Sequence, residues 1–345
     1  MKNNGSHLER RVGGLPKRTA KERLGEFLKL FVKDDEVLVV ISADPDSLAS
    51  ALAVKRLLRY RVKNLTIAYP NEIRRLSNLA MVDLLKIPIE RLQNLKPGDY
   101  SKKIILDSQP CHLPAFASLN FDAVIDHHPP TRASLAAPFI DIRRDYGATA
   151  SMLVEYLRAA EIKPSVALAT ALFYAIKVDT HNFEKKSVPA DVISFRYLYS
   201  LVNHNLVRKI ELSELRKSEL GYFKLALNDY LIDKKRLYLH MGRVRSPDIM
   251  VIIADFFNRV NEVSWVLVSG IHNDKLVVIF RCDGYKKNAG QLATDIFAKL
   301  GVAGGHREAA RAEVPVKNLV GGGQNFTTQT LKRLATKHLT LMDAI

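Results

Sequence analysis

Short apolar runs alternate with helical patterns from residue 36 onward, and this alternation limits the fold more than any other feature. Four runs are typical of buried strands, namely "EVLVVI", "LTIAY", "KKIILD" and "FDAVID". Helical segments follow the first two, reaching to about Tyr60 and from about Leu76 to Leu85. Strands that alternate with helices predict a parallel sheet that binds its ligands at the carboxyl ends of the strands.

After the fourth predicted strand the pattern changes, first to helices that belong to the first domain and then to a second group of strands that predicts a separate domain. Residues 147–202 are mostly helical, and a long helix is expected from about Leu212 to Tyr230. The runs "RLYLHMG", "VSWVLVSGIHN" and "KLVVIFRCDG" predict three strands, followed by a helix near Ala289–Leu300 and a glycine-rich turn. The fold class is therefore α/β, with a parallel-sheet N-terminal domain, a helical connector and a smaller α+β C-terminal domain. The predicted boundaries are a basic extension at 1–26, the first domain at 27–203, the connector at 204–230, the second domain at 231–325 and a C-terminal helix or tail at 326–345.

Composition indicates a globular protein that is large enough for two domains. With 345 residues and 47% hydrophobic content, the chain is long enough for two cores. We expect a cytoplasmic protein with no membrane partner, because no apolar run approaches about 18 residues and the N-terminus lacks a secretory apolar region. Cys111 and Cys282 lie too far apart to suggest a metal knuckle or a disulfide framework.

The chain is strongly basic. A net charge of +16 and a pI near 9.7 favour nucleic acid or phosphorylated small molecules as partners. Seven Lys or Arg residues face two Glu in the first 23 residues, where glycine and proline argue against a packed element. This segment either contacts RNA or forms a solvated leader.

Four groups of acidic and histidine residues stand at predicted turns of the first domain. Each residue alone could be a helix cap, a turn residue or a core histidine. All four at element ends are better explained by a site for one or two divalent cations, which could hold a phosphodiester and activate water. The groups are Asp44 with Asp46, Asp107, Asp126 with His127 and His128, and Asp179.

The motifs resemble those of the DHH phosphoesterase family. "DHHPP" at 126–130 lies between "DPDSLASALA" and "LDSQP" on one side and "VDTHNF" on the other, in the family's order. "GGHREAA" at 304–310 resembles the companion DHHA1 domain, so the likeness runs from about residue 36 to 315. The family includes single-strand exonucleases, nanoRNases, 3′-phosphoadenosine 5′-phosphate phosphatases, cyclic-dinucleotide phosphodiesterases and exopolyphosphatases. The two-domain length looks most like the nanoRNase and nucleotide-phosphatase branch.

The resemblance implies two Mn²⁺ sites, with Mg²⁺ or Co²⁺ as alternatives. One site would take Asp46, Asp107, His127 and Asp179 as ligands, with Asp107 bridging to the other site. The other site would keep Asp44 and Asp107 but lack its histidine, because Val40 occupies that position. Valine has no lone pair, so this site is expected to be the weaker one.

A second alignment of the opening motif is also open. Asp46 would then be the family's first aspartate, and Leu48 would replace the second. This alignment loses more ligands and misplaces "LASALA" relative to the family's first helix. In the first alignment, Ser42 and Ala43 replace the family's usual asparagine and proline.

The resemblance also implies roles outside the ligand set. Asp126 would orient an imidazole, and His128 would face a substrate phosphate or the leaving oxygen. In the second domain, Arg281 and His306 would bind phosphate, and Gly304 and Gly305 would let backbone amides approach an anion. Ala303 and Arg311 stand where the family usually has glycine.

Two functions follow from the sequence. The first is metal-dependent hydrolysis of phosphoesters in short RNA or in a phosphorylated nucleotide, with Asp107, His127, His128 and Asp126 as the catalytic group. The second is a catalytically impaired relative that binds a nucleotide or RNA without cutting it. A homodimer is left open as the assembly.

Overall fold

The computed structural model describes residues 18–184, 187–284, 287–319 and 326–342. The chain forms two units that divide between Glu214 and Leu215. Residues 1–17 of the predicted basic extension and residues 343–345 of the predicted tail lie outside the described part.

The first unit is built on a six-stranded parallel sheet. Its strands are β1 (Glu36–Val40), β2 (Asn64–Tyr69), β3 (Ile89–Arg91), β4 (Lys102–Leu106), β5 (Ala123–Asp126) and β6 (Phe139–Ile142). The spatial order is β3-β2-β1-β4-β5-β6, so the chain reverses direction across the sheet between β1 and β4. Parallel sheets of this kind open a crevice at the carboxyl ends of the two strands that flank the reversal.

Helices cover this sheet and complete the first unit. They are α1 (Ala20–Leu28), α2 (Pro45–Leu58), α3 (Leu76–Leu85), α4 (Pro114–Ala117), α5 (Thr149–Ala159), α6 (Val166–Asp179), α7 (Pro189–Tyr199) and α8 (His204–Glu211). Alternate residues of β1 enter different apolar layers. Val37 and Val39, with Ile41 just after the strand, belong to a large core with residues of α2, α5 and α6, whereas Leu38 and Val40 pack in a smaller layer on the other face. The sheet is therefore buried on both faces, which explains the continuous apolar runs of its strands.

Helix α1 is a feature that the sequence analysis missed. Thr19 and Glu22 form a capping box at its N-terminus, and Leu24 and Phe27 are buried. The prediction that the first 23 residues contain no packed element was wrong for the start of this helix. A Thr-x-x-Glu pattern before an apolar run is a helix-start signal, and it outweighs the glycine and proline content upstream.

The second unit contains a mixed sheet. Its strands are β7 (Leu231–Asp233), β8 (Arg236–Arg243), β9 (Trp265–His272), β10 (Lys275–Cys282), β11 (Val302–Gly305) and β12 (Ala309–Pro315). The order is β11-β12-β10-β9-β8-β7, with β8 and β9 parallel and the other neighbours antiparallel. The helices are α9 (Leu220–Asp229), α10 (Asp248–Phe257), α11 (Ala289–Phe297) and α12 (Thr328–Met342). Apolar clusters bury both faces of this sheet.

The predicted α/β class with a later α+β unit is confirmed. The single long helix expected near residues 212–230 is instead a 3₁₀ turn at Lys217–Glu219 followed by α9. None of the described helices has the length and apolar character needed to cross a membrane.

Candidate metal centre

The acidic residues of the first unit meet at the carboxyl edge of the parallel sheet. Asp44 and Asp46 follow β1, Asp107 follows β4, His127 follows β5, and Asp179 is the last residue of α6. Two of the strand ends have left-handed backbone, with φ of 60° at Ala43 and 53° at Asp107. Such conformations are costly for residues other than glycine, and they concentrate where a backbone must aim a functional side chain.

His127 lies at the centre of this group. Its Nε2 atom is 3.2 Å from Asp179 Oδ2, 3.5 Å from Asp107 Oδ1 and 4.0 Å from Asp46 Oδ2. Its Nδ1 atom lies 3.2 Å from the carbonyl oxygen of Tyr146 and can donate to it. With the proton on Nδ1, the lone pair of Nε2 faces the three carboxylates, which is the arrangement of a metal-ligating histidine.

Two sets of three side chains bring potential ligand atoms within 4.8 Å of one another. One set is Asp46, His127 and Asp179, and the other is Asp107, His127 and His128. Within the described residues, no group makes a well-aligned hydrogen bond to the buried Nε2 of His127, although Asp179 Oδ2 lies 3.2 Å away. A buried imidazole nitrogen facing crowded carboxylates fits a divalent cation that accepts imidazole and oxygen together.

The electrostatics of the cluster also favour a cation. Burial raises the pKa of Asp46 to about 7, and the charge of Asp179 adds to the effect. Burial likewise raises the pKa of Asp107 well above its usual range, with repulsion from Asp46 and Asp44. Burial alone would lower the pKa of His127, but the carboxylates of Asp179 and Asp46 raise it to about 9. Without a cation, the cluster therefore holds protons to offset its negative charge.

The start of helix α5 fixes two of the carboxylates. Asp46 accepts hydrogen bonds from the backbone amides of Thr149 and Ala150 at 2.6 and 2.7 Å. No side chain caps this helix at Ala148, so the carboxylate of Asp46 takes that role from a distant part of the chain. The hydroxyl of Thr149 donates to Asp107 Oδ1 at 3.0 Å. These contacts leave little freedom for either carboxylate to turn away.

The buried Asp126 and the exposed His128 form a pair beside the centre. Asp126 Oδ1 lies 2.8 Å from His128 Nδ1, and Oδ2 accepts from Gln109 Nε2 at 2.6 Å. Burial raises the pKa of Asp126, but its hydrogen bonds to His128 and Gln109 outweigh this and lower it. Asp126 therefore remains a carboxylate and holds His128 with Nε2 turned outward.

Gln109 is a positioning residue that the sequence analysis did not identify. Its side chain is fully buried, and its Oε1 accepts from the Thr131 amide and the Ser134 hydroxyl at 2.7 and 2.6 Å. It thus ties the loop after β4 to the loop after β5. His112 was also missed; its ring lies 5.8 Å from that of His128. A polar residue two positions after Asp107 is the only sequence signal that pointed to Gln109.

Asp44 and Val40 have clear local roles. Asp44 caps helix α2 by accepting from the Ser47 amide at 2.9 Å, and its other oxygen accepts from the Ser42 hydroxyl at 3.2 Å. It belongs to neither of the two sets of ligand atoms found among the described residues. Val40 is fully buried in the apolar layer with Ile105 and Phe116. A metal-ligand role for Asp44 and a missing histidine at Val40 remain predictions.

The predicted phosphate-binding residues lie in the second unit. Arg281 is the last residue but one of β10 and pairs with Asp255 through Nε at 2.6 Å. Gly304 and Gly305 end β11, and His306 is exposed in the turn before β12. Phosphate binding by these residues remains a prediction.

Close packing against this turn requires a glycine at position 290, in the first turn of α11. The carbonyl oxygen of Gly305 lies 2.5 Å from where a Cβ on Gly290 would stand, so a side chain there would clash. The carbonyl of His306 accepts from the Gly290 amide at 2.9 Å, and that of Arg307 from Ala289 at 2.7 Å. The first turn of α11 is thus hydrogen-bonded to the turn between β11 and β12.

The charges of the metal centre predict a pH-dependent stability for the metal-free protein. Raised pKa values of Asp46 and His127 mean that the folded state binds more protons than the unfolded state. This contribution is complete at low pH and is lost as pH rises through about 7 for Asp46 and about 9 for His127. We expect the melting temperature in EDTA to fall between pH 6.5 and 8.5.

Divalent metal should reverse this trend, because its binding requires the deprotonated ligands. Melting curves with and without Mn²⁺ at pH 6.5, 7.5 and 8.5 should show a stabilisation that grows with pH. A constant melting temperature in EDTA, or a metal effect that does not vary with pH, would contradict the assigned cluster.

Known proteins resemble both the first unit and the whole chain. Residues 36–176 match the DHH family, N-terminal domain. An uncharacterized protein of Methanocaldococcus jannaschii is 32% identical over 286 residues, which is 81% of this chain; the match covers 58% of that relative's length. A solved exopolyphosphatase-related protein from Bacteroides fragilis has a TM-score of 0.66 at 15% identity, covering 95% of this chain and 100% of the other. RecJ in complex with Mn²⁺ from Thermus thermophilus has a TM-score of 0.49 at 14% identity, covering 94% of this chain and 55% of that one.

Proposed function

Since residues 36–176 belong to the DHH family, we propose that this protein is a metal-dependent phosphoesterase that hydrolyses short oligoribonucleotides or nucleotide phosphates. The single observation that carries the proposal is the position of His127 Nε2, which is buried and faces the carboxylates of Asp46, Asp107 and Asp179. The net charge of +16 supports a phosphorylated substrate.

The residues of the candidate metal centre have different roles according to their positions. Asp46, Asp107, His127 and Asp179 would hold divalent metal, with Mn²⁺ as the first candidate and Mg²⁺ or Co²⁺ as alternatives. When bound, such ions polarise a phosphoryl oxygen and make water a better nucleophile. Tyr146 keeps the proton of His127 on Nδ1 through its carbonyl oxygen. These side chains are already oriented by the protein, which lowers the cost of assembling the reaction site.

His128 is the residue best placed to handle a proton. Its Nδ1 is held by Asp126, and its side chain is 46% exposed, so Nε2 can reach a substrate. The Asp126 carboxylate stabilises the protonated imidazole that would donate to the leaving oxygen. Carboxylate and histidine pairs have the same roles in other hydrolytic sites, where the carboxylate orients the imidazole and the imidazole transfers the proton.

The test is a turnover assay with Mn²⁺, Mg²⁺ and Co²⁺ across di- to pentaribonucleotides, 3′-phosphoadenosine 5′-phosphate, cyclic dinucleotides and polyphosphate. His127→Gln serves as the inactive reference, because glutamine retains polarity but loses the imidazole ligand. We expect metal-dependent release of product from a short oligoribonucleotide or a nucleotide phosphate. The proposal fails if no substrate is hydrolysed at a rate above that of the His127→Gln variant.

Val40 favours a second candidate function, a nucleotide- or RNA-binding protein without turnover. Its side chain is apolar and fully buried at the position where the family resemblance places a histidine ligand. One measurement distinguishes the two candidate functions. A binder would retain a labelled oligoribonucleotide with micromolar or better affinity in the presence of metal and leave it intact.

The second unit is proposed to capture substrate through Arg281 and His306. Arg281→Ala and His306→Ala should each raise KM by about tenfold with little change in kcat, because a lost hydrogen bond to a charged group removes binding without altering the reacting centre. Steady-state kinetics with a pentaribonucleotide measures both constants. The exposed Arg243→Ala is the control. A large fall in kcat at saturating substrate would show that either residue acts in chemistry rather than in capture.

A further inference from the structure

A large cationic pocket opens in the first unit, lined by none of the candidate metal ligands. The cavity has a volume of about 1100 Å³. Such a volume exceeds that of typical small-ligand pockets, so it has room for a nucleotide-sized group. Six cationic side chains line it, namely Arg18, Lys21, Arg23, Arg143, Arg144 and Arg158. We refer to this cavity as the β6 pocket, because it lies where β6 ends.

Carboxylates of the pocket wall, and others just behind it, form ion pairs with several of these cationic side chains. Arg23 and Arg143 pair with the buried Asp141 at 2.6 and 2.8 Å. Arg143 also pairs with Glu155 of the wall, and Arg18 pairs with Glu26. Counting the exposed Asp145 as well, six cations face four carboxylates, so the β6 pocket keeps a positive balance. The pairs with the buried Asp141 fix the guanidinium groups of Arg23 and Arg143, and Lys21 and Arg158 add charge at exposed positions of the pocket wall.

The β6 pocket and the metal centre share one loop. Tyr146 accepts from His127 Nδ1 through its carbonyl oxygen, and its ring lies in the pocket wall under the guanidinium of Arg143, 5.0 Å from the ring centre. Pro130, the last residue of the "DHHPP" motif, also lines the pocket. Because β5 and β6 are neighbours in the parallel sheet, their carboxyl ends lie about 4.8 Å apart. The pocket therefore continues the carboxyl edge on which the metal centre stands.

We propose that the β6 pocket binds the phosphate backbone of a single-stranded oligoribonucleotide, beyond the phosphodiester that is presented to the metal centre. This inference rests on the proposed function, and it specifies the substrate as a chain with several phosphates rather than a mononucleotide. Guanidinium groups held by the buried Asp141 suit repeated phosphates, because their donor geometry is fixed before the ligand arrives. A positive groove that follows a nucleic acid backbone needs no base-specific contacts.

The inference predicts that removing charge at exposed positions of the pocket wall weakens binding of longer substrates. The test variant is Lys21→Glu with Arg158→Glu, both exposed and neither a member of the metal centre. The matched control is Lys33→Glu with Arg61→Glu, which makes the same change of charge at exposed positions outside the pocket wall. Affinity is measured in EDTA by fluorescence anisotropy with a labelled pentaribonucleotide, so the readout does not depend on hydrolysis.

We expect the test variant to weaken pentaribonucleotide binding by at least about tenfold relative to the control variant. Loss of two phosphate contacts should also reduce the slope of log affinity against log salt by about 1.4. In turnover, KM should rise for the pentaribonucleotide and stay close to the unaltered value for a dinucleotide.

Two results would overturn the inference. The first is equal affinity and equal salt dependence in the test and control variants. The second is binding of adenosine monophosphate as tight as that of the pentaribonucleotide, with both weakened alike in the test variant. If the unaltered protein binds the pentaribonucleotide through the β6 pocket but hydrolyses no substrate, the proposed function is wrong. The inference that the β6 pocket binds an oligoribonucleotide is then still supported.

Discussion

Asp107→Asn is expected to reduce metal-dependent hydrolysis by at least about 100-fold, the loss that follows from disturbing an oriented charge at a reacting centre. Asp107 is buried, its Oδ1 lies 3.5 Å from His127 Nε2, and it belongs to one of the two ligand sets. An amide supplies one neutral oxygen in place of a carboxylate, so it binds a hard cation poorly and cannot bridge two. Turnover and a calorimetric Mn²⁺ titration measure the loss.

The same substitution should leave the metal-free fold intact. Because burial and neighbouring carboxylates raise the pKa of Asp107, its charged form is disfavoured in the folded protein. Asparagine removes that cost and can still accept from the Thr149 hydroxyl, so the melting temperature in EDTA should be equal or higher. The exposed Asp83→Asn on α3 is the control and should change neither quantity. Full turnover by Asp107→Asn in a metal-defined buffer would exclude Asp107 as a ligand of the reacting metal.

Much of the metal centre could be predicted because its residues follow a general rule of parallel sheets. The strands preceding Asp44, Asp107 and His127 are short apolar runs, and their carboxyl ends must meet at one edge. Asp179 joins them from a helix, and only its place in the motif order pointed to it. The strand order across the sheet, by contrast, depends on pairings between distant segments that one sequence does not display.

The missed residues act through contacts that cross the chain. Tyr146 matters through its carbonyl oxygen, which any residue possesses, and Thr149 matters because its amide faces Asp46 from 103 positions away. Gln109 joins two loops by side-chain hydrogen bonds that no local pattern requires. Helix α1 is different, because its capping box was readable at Thr19 and was overlooked beside the basic residues that precede it.

The largest stability effect is expected at Asp141, beneath the β6 pocket. Asp141 is buried on β6 and accepts from Arg23 at 2.6 Å, from Arg143 at 2.8 Å and from the Tyr156 hydroxyl at 2.8 Å. Through Arg23 it ties α1 to the sheet, and through Tyr156 it ties α5 to the same strand. Asp141→Asn keeps the size of the side chain but removes the charge that Arg23 and Arg143 share, and of the two only Arg143 keeps another ion pair within the described residues, with Glu155. We expect the free energy of unfolding to fall by about 3 kcal/mol, since breaking a buried ion pair leaves uncompensated charge.

Urea denaturation followed by circular dichroism measures this loss, with Asp145→Asn as the matched control. Asp145 is exposed and lies 4.0 Å from Arg144, so its ion pair is screened by solvent and should contribute less than about 1 kcal/mol. If Asp141→Asn is no more destabilising than the control, the arginines find other partners or water, and the carboxylate is not what fixes them. The expected large difference would instead show that the buried acid sets the geometry of the cationic wall, because the wall residues Arg23 and Arg143 depend on it for their orientation.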